Sequence, residues 1–238
     1  RLPLPNCLMP NASAAKQAAG TAAADLVESG MTLGLGTGST TACALEALGA
    51  RIRNDGLDVV GVPTSFAAER LATQHGIPLT TLDAVSRLDL ALDGADEVDP
   101  AGHLIKGRGA AHTREKVVAH ASDRFVVLID PSKPVDELGQ AFPLPIEVVP
   151  MALGPVQRLI EALGGRPALR MGSAKDGPVI SDQGLWIVDA HFDGIADPEA
   201  LNRTLNDQPG ILDHGLFLNL ATDILCGEAD GSVTHTVV

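Results

Sequence analysis

The stretch MTLGLGTGSTTACALEALGARIRNDGLDVVGVPTSFAAERLATQHG, residues 31–76, decides the fold. MTLGLG is an apolar run ended by glycines and reads as a buried strand feeding a turn. From Ser39, STTACALEALGAR has helical spacing. DVVGVP, from Asp58, is a second buried strand, and AAERLATQHG is the next helix. Strands that alternate with helices of this length imply right-handed βαβ crossovers and a parallel sheet.

The pattern extends in both directions. Upstream, the Ala-rich segment at residues 13–29 predicts a helix with Ser13 as N-cap. Downstream, PLTTL predicts a short strand, LDLALDG from Leu88 a longer one, AAHTREKVVAHA a helix and RFVVLID another apolar strand. Near Gly139 the grammar changes. QAFPLPIEVVP carries three prolines, and after it come a helix (GPVQRLIEALGG), a short strand, a turn-rich strand pair around SDQG and a helix near PEALNRTLND. That β-α-β-β-α-β order is the split pattern of a ferredoxin-like unit. The expected class is therefore α/β: a Rossmann-like, mostly parallel sheet core from residues 1–138 and 212–238, with a ferredoxin-like α+β lid inserted at 139–211. The last segment, ILDHGLFLNLATDILCG onward, supplies short strands that rejoin the first sheet. Trp186, inside the insertion, reads as a core or interface anchor.

Composition bounds the function. With 238 residues, 45% hydrophobic and 20% charged, the chain can build a large buried core. Its 30 acidic against 17 basic residues give a net charge of −13, which repels a polyanion, so nucleic acid is not expected as a partner. A small anionic substrate then needs a local gathering of cations and helix N-termini. No run of about 18 apolar residues suggests a membrane span. Cys7, Cys43 and Cys226 are odd in number and include no C-x-x-C pair, which fits unpaired thiols in a reducing compartment, the cytoplasm, and no zinc site. The opening RLPLPNCLMPNAS has no continuous apolar region and reads as no signal peptide, and the missing initiator Met points to a start within a longer product.

Four places can carry chemistry. In GLGTGST, between strand and helix, Gly38 and its neighbours let backbone amides turn inward, and Thr37, Ser39 and Thr40 add donors at a helix N-terminus, where a phosphate or a sugar hydroxyl fits. A dinucleotide fingerprint needs a glycine where Ser39 stands and an acid where Pro63-Thr64-Ser65 follow the second strand, so nicotinamide is not expected. A tight turn without a ligand is the plain alternative. In Asp93-Gly94-Ala95-Asp96-Glu97-Val98-Asp99, Asp93 and Asp96 fall at a strand's C-terminal end and point into the cleft shared with the glycine loop. Glu97 and Asp99 read as members of a solvated acidic turn. Neither EF-hand spacing nor clustered His or Cys is present, so no metal is expected.

The third place, Lys106-Gly107-Arg108-Gly109, opens a helix with two cations and supplies the positive pocket that the acidic chain otherwise lacks; a flexible basic turn is the alternative. The fourth is Glu115, whose helical neighbours Ala111, Val118 and Ala119 put its carboxylate on a small, apolar face. Such a group has a perturbed pKa, which suits a general base, or else belongs to a structural ion pair. Lys133, just past RFVVLID, adds charge at another strand end. The seven His residues form no metal-binding array.

Taken in order, GLGTGST, DGADEVD, KGRGAAHTREK and FPLPIEVVPMA resemble the type A ribose-5-phosphate isomerases from about residue 13 to the C-terminus. The resemblance implies an α/β core with a ferredoxin-like lid, no cofactor or metal, a phosphorylated pentose substrate, and a homodimer or sometimes a tetramer. It implies that Thr37 to Thr40, Asp93 to Asp96, Lys106 to Gly109 and Lys133 line the substrate site and that Glu115 is the catalytic base. The expected roles are proton transfer between C2 and C1 by Glu115, ring opening by Asp93 with Asp96 positioning hydroxyls, and enediolate stabilisation by Lys106. Two positions depart from the pattern. Arg108 stands where the family often has glycine, and FAAE after Pro63-Thr64-Ser65 lacks a hydroxyl residue often found there. A sugar-phosphate sensor, a deaminase or lactonase of similar architecture, and a nicotinamide oxidoreductase are the rival readings.

Overall fold

Apolar strands without a polar face must be covered on both sides. The computed structural model, which describes the backbone of residues 10–174 and 176–238 and the side chains of residues 14–174 and 176–238, covers them in this way. Expectations that fall on residues 1–9, including those for Cys7 and the opening segment, lie outside the described residues. Helix α1 (Pro10–Asp25) leads to β1 (Thr32–Leu35), α2 (Ser39–Asp55), β2 (Val60–Pro63), α3 (Phe66–His75) and β3 (Leu88–Gly94). Two short strands, β4 (Glu97–Val98) and β5 (Leu104–Ile105), precede α4 (His112–His120) and β6 (Ser122–Ile129). Then come β7 (Leu144–Val148), a 3-10 turn at Pro150–Ala152, α5 (Leu153–Ala162), β8 (Arg166–Leu169), β9 (Trp186–His191) and α6 (Pro198–Asn206). The chain finishes with β10 (Ile211–His214), β11 (Leu216–Phe217), β12 (Asp223–Gly227) and β13 (Val233–Val237).

The central sheet has the order β13-β12-β6-β3-β1-β2, parallel throughout except for the edge strand β13. Side-chain alternation divides its core in two. Leu33, Leu35, Leu90, Leu92 and Leu128 pack with Ala19 and Ala23 of α1 and Leu45 and Leu48 of α2. Ala91, Phe125 and Val127 pack on the opposite side with Val118 of α4 and Phe217. Strand β1 pairs with β2 on one side and β3 on the other; the connection from β1 runs outward to β2 and the next returns past β1 to β3, so the winding reverses there and opens a crevice beyond the C-terminal ends of β1 and β3.

The second sheet, β10-β7-β9-β8, is antiparallel and carries α5 and α6 between its strands in the expected β-α-β-β-α-β sequence. Val156 and Ile160 of α5, and Leu201 and Leu205 of α6, recur at i, i+4 and are buried with Ile146, Val148 and Val188, while Trp186 packs half-buried at their edge. Asp197 caps α6 by accepting from the Ala200 amide, with Pro198 at the first turn. We take this second unit to span β7 to β10. It is tied to the first at several points. The Lys116 ammonium bonds Asp213 at 2.5 Å and the His214 carbonyl at 2.6 Å, and Asp182 accepts from the Phe66 amide at 2.9 Å.

Several local expectations change. Ser13 lies inside α1, which begins at Pro10 and stops at Asp25, where the Leu26 and Val27 amides close i−3 turns onto Ala23 and Ala24. PLTTL is reduced to one bridge, Leu79 to Gly61, beside the edge strand β2. A small antiparallel sheet, β11-β5-β4, was not anticipated; it forms from two-residue strands, too short to show a period. It buries Glu97, which is no part of a solvated turn. Its carboxylate accepts from the amides of Gly139, Ala141 and Phe142, each at 2.6 Å, and so fixes the entry to the second unit.

Candidate active site

The crevice at the ends of β1 and β3 is built by three loops and one helix. After Leu35, the Gly36 amide still donates to the Leu92 carbonyl at 2.9 Å, which keeps the two strands together past the sheet. A Cβ on Gly36 would lie 2.3 Å from Asp93 Cγ, so the side chain of Asp93 occupies the space that only glycine leaves. Gly38, at φ 116°, turns the chain into α2 without a side-chain cap. The first bond of that helix runs from Ala42 to Gly38, so the amides of Ser39, Thr40 and Thr41 lie ahead of its internal ladder. The Thr37 hydroxyl faces Thr64 and Ser65, at 2.9 and 2.6 Å.

Asp93 is 3% exposed. Its Oδ1 accepts from the amides of Thr37 (3.0 Å) and Gly94 (2.7 Å) and from the Thr41 hydroxyl (3.5 Å). Its Oδ2 faces Lys106 Nζ at 3.2 Å, and the same ammonium lies 3.2 Å from Glu115 Oε2 and donates to the Gly94 carbonyl. Both of those carboxylate oxygens are sealed from solvent and receive no well-directed hydrogen bond, so the ammonium is their only charge partner among the described residues. The Phe217 ring, 5.4 Å from Nζ, walls the cation from one side. Asp96 accepts from the Arg108 amide at 3.0 Å.

One cation between two buried carboxylates sets unusual proton affinities. The Glu115 pKa is pushed up to about 8, first by burial and then by the charge of Asp93, against the pull of Lys106. Burial likewise raises Asp93, in opposition to Lys106 and the two amides. Burial alone would lower Lys106, but Asp93, Glu115 and Asp96 outweigh it and hold the ammonium charged. His112 and His214 are buried and neutral, with pKa pushed down to about 3 and about 2 by burial and then by Lys116.

These groups border a cavity of about 440 Å³ lined by Thr37 to Thr41, Gly94 to Asp96, Lys106 to Gly109, Glu115, Lys133 and Lys16. The predicted residues thus converge on one space, except that Asp93 lies beneath its wall and acts on it through Lys106. Lys16 was missed. It reaches from α1 to the Ser39 hydroxyl at 3.0 Å, and its signal was present as the lone cation of an Ala-rich helix. Arg108 is not strained, because the left-handed residues of its loop are Gly107 (φ 111°) and Ala110 (φ 58°); its guanidinium sits 5.6 Å from the Phe142 ring. A second cavity of about 430 Å³, on the other side of α4, is bordered by Val62, Leu82 and Val117 and gathers no comparable charge cluster. Among the described residues, no group of three or more His, Cys, Asp or Glu is placed to hold a metal, no helix is long and apolar enough to cross a membrane, and Cys43 and Cys226 are free.

Residues 60–231 match the family model described as Ribose 5-phosphate isomerase A (phosphoriboisomerase A). The chain is 56% identical over 214 residues to Ribose-5-phosphate isomerase A of Thermosynechococcus vestitus, covering 90% of this chain and 91% of that protein. Among solved structures, ribose 5-phosphate isomerase A from Methanocaldococcus jannaschii is 43% identical with a TM-score of 0.90, covering 94% of this chain and 98% of that one. A D-ribose-5-phosphate isomerase in complex with phospho-erythronic acid is also 43% identical, with a TM-score of 0.91 and coverage of 94% and 97%.

Proposed function

Because the chain belongs to the ribose 5-phosphate isomerase A family, we propose that it works by proton transfer within a bound sugar, with Glu115 as the base. The enzyme is an aldose–ketose isomerase that interconverts ribose 5-phosphate and ribulose 5-phosphate. The observation that carries the residue roles is the Asp93–Lys106–Glu115 triplet, one ammonium 3.2 Å from a sealed oxygen of each of two carboxylates, with Glu115 on the wall of a cavity and Asp93 beneath it. Glu115 Oε2 is taken up by Lys106, which leaves Oε1 for the sugar. That carboxylate removes a proton from C2, exchanges it in part with solvent and delivers a proton to C1, while a hydroxyl proton passes from O2 to O1 and leaves the C2 carbonyl. Negative charge gathers on the oxygens of an enediolate, and Lys106 with the nearby loop amides absorbs it. The planar carboxylate of phospho-erythronic acid, bound by the related structure, has the shape of that intermediate.

The amides that open α2, with Lys16 and Lys133, offer the phosphate a positive end and so hold the reacting carbons near Glu115. Asp96, on the cavity wall, is placed to handle sugar hydroxyls during ring opening. Asp93, under the wall, tunes Lys106 and Glu115 and takes part in ring opening through them. A cytoplasmic enzyme assembled as a homodimer or tetramer completes the reading. Proton NMR of ribose 5-phosphate with the enzyme in D₂O and chelator tests it. Ribulose 5-phosphate carrying deuterium at C1 is the expected product, and unchanged substrate counts against the reading.

A pH profile tests the base itself. Glu115 accepts a proton only as carboxylate, and its pKa of about 8 in the free enzyme makes kcat/KM rise with pH, half-maximal near 8. Asp93→Asn removes the second cause of that elevation and moves the ascending limb to lower pH. A flat profile from pH 6 to 9, roughly the window spanned by such a group, would detach Glu115 from the rate.

A further inference from the structure

We propose that Arg170 is a positioning residue for the isomerisation, holding the Lys106–Gly109 loop so that the Gly109 amide faces the reacting sugar and the Arg108 amide holds Asp96. Arg170 follows β8 in the second unit, far from the charge triplet in sequence. Its Nη1 donates to the carbonyls of Gly107 and Arg108, both at 3.0 Å. The rest of its fork is bound by Asp189 of β9, with Nε at 2.8 Å from Oδ2 and Nη2 on Oδ1, and both side chains are 16% exposed. The backbone beneath is pinned as well, since the Arg170 amide donates to Ile187 and its carbonyl accepts from Val179, each at 2.8 Å.

A trans peptide points its N–H opposite to its C=O. With the Gly107 carbonyl drawn to Arg170, the Arg108 amide points the other way, where Asp96 accepts it at 3.0 Å. With the Arg108 carbonyl drawn the same way, the Gly109 amide is also directed away from Arg170. Nothing among the described residues accepts it, and Gly109 lines the cavity. One planar fork therefore orients two consecutive peptides, which a lysine at the same site would not do. Upstream of the clamp, the Lys106 amide donates to the Gly215 carbonyl at 2.9 Å, and a Cβ on Gly215 would lie 2.1 Å from the Lys106 carbonyl. The loop is thus gripped on both sides of the catalytic ammonium by elements outside the central sheet.

This inference rests on the isomerase reading of the site, and its test separates the two. Arg170→Met, Arg170→Lys, Asp189→Asn and the double variant Arg170→Met/Asp189→Asn are compared with the unaltered enzyme well below its unfolding temperature. The readouts are kcat and KM for ribose 5-phosphate and Kd for phospho-erythronic acid. In Arg170→Met, kcat falls about tenfold or more and phospho-erythronic acid binds more weakly by a similar factor, while KM changes far less, because the aimed Gly109 amide acts on the charge that develops during reaction. Arg170→Lys does not restore kcat, and the double variant is no worse than Arg170→Met, since Asp189 acts through Arg170. Should Arg170→Met fail to fold, Arg170→Lys and Asp189→Asn must show the same split. Values of kcat and Kd within twofold of the unaltered enzyme, or a rise in KM alone, overturn the clamp. Failure of the unaltered enzyme to isomerise would instead overturn the reading on which the clamp rests.

Discussion

Glu115→Gln lowers kcat for ribose 5-phosphate by at least about a hundredfold while the protein stays folded. Glutamine keeps the volume and the polar outline of the side chain on α4 but cannot take a proton from carbon. The end of the cavity at the start of α2, where we propose that the phosphate sits, is untouched, so KM changes little and the loss falls on kcat. Incorporation of solvent deuterium into the product is lost in parallel. Stability moves the other way. Glu115 binds its proton more tightly in the folded chain, with a pKa of about 8 against the ordinary 4.5, so it weakens the fold progressively as pH rises between those values. Glutamine removes that burden, and the Tm of the variant gains on the unaltered enzyme from pH 5 to pH 9, a range of about four units around the shifted group. A folded variant with nearly normal turnover would take Glu115 out of the mechanism.

The central sheet was readable because its strands are buried on both faces and spell apolar runs, Leu90 to Leu92 and Phe125 to Ile129 among them. Loops that begin or end with glycine between such runs located the site, since the ligand crevice of a parallel sheet lies at its strand ends. Glu115 stood out for a local reason, an acid whose helical neighbours are small and apolar. Other parts needed three dimensions. Glu97 looked like one acid among four, yet its role depends on amides at Gly139 to Phe142, which no spacing within DGADEVD reveals. Lys16 and Ser39 are 23 residues apart and meet only because α1 packs on α2. The position of Asp93 behind Lys106, rather than on the cavity wall, follows from the absence of a side chain at Gly36, which sequence shows as a glycine but not as a space. Arg170 lies in a stretch with no motif, and its contact with the Lys106–Gly109 loop exists only because two sheets are docked.

Lys106→Met has an effect on stability that depends on pH as strongly as its effect on rate depends on chemistry. Methionine keeps the stem that passes the Phe217 ring and deletes the ammonium, so Asp93 and Glu115 face each other without a cation. Losing one partner of a buried ionic cluster costs about 3–5 kcal/mol when the remaining charges stay ionised. Carboxylates escape that cost by taking up protons, and both are already raised in the intact site by burial. Without Lys106 their folded pKa values rise further, so the variant loses stability as pH climbs from the ordinary carboxylate range toward those higher values. Lys106 itself has a raised pKa, so in the unaltered enzyme its contribution is fully present below about 10.5, the unperturbed value, and stays constant across the measured range. The gap in Tm between the two proteins is therefore small at pH 5, wider at pH 7 and widest at pH 9, when unfolding is followed by circular dichroism. Turnover falls by about a hundredfold or more at every pH where the variant is folded, as expected if Lys106 is the charge that receives the enediolate oxygen, as proposed. A gap that stays level with pH would mean that packing of the lysine stem, rather than the balance of one positive against two negative charges, is what the site requires of residue 106.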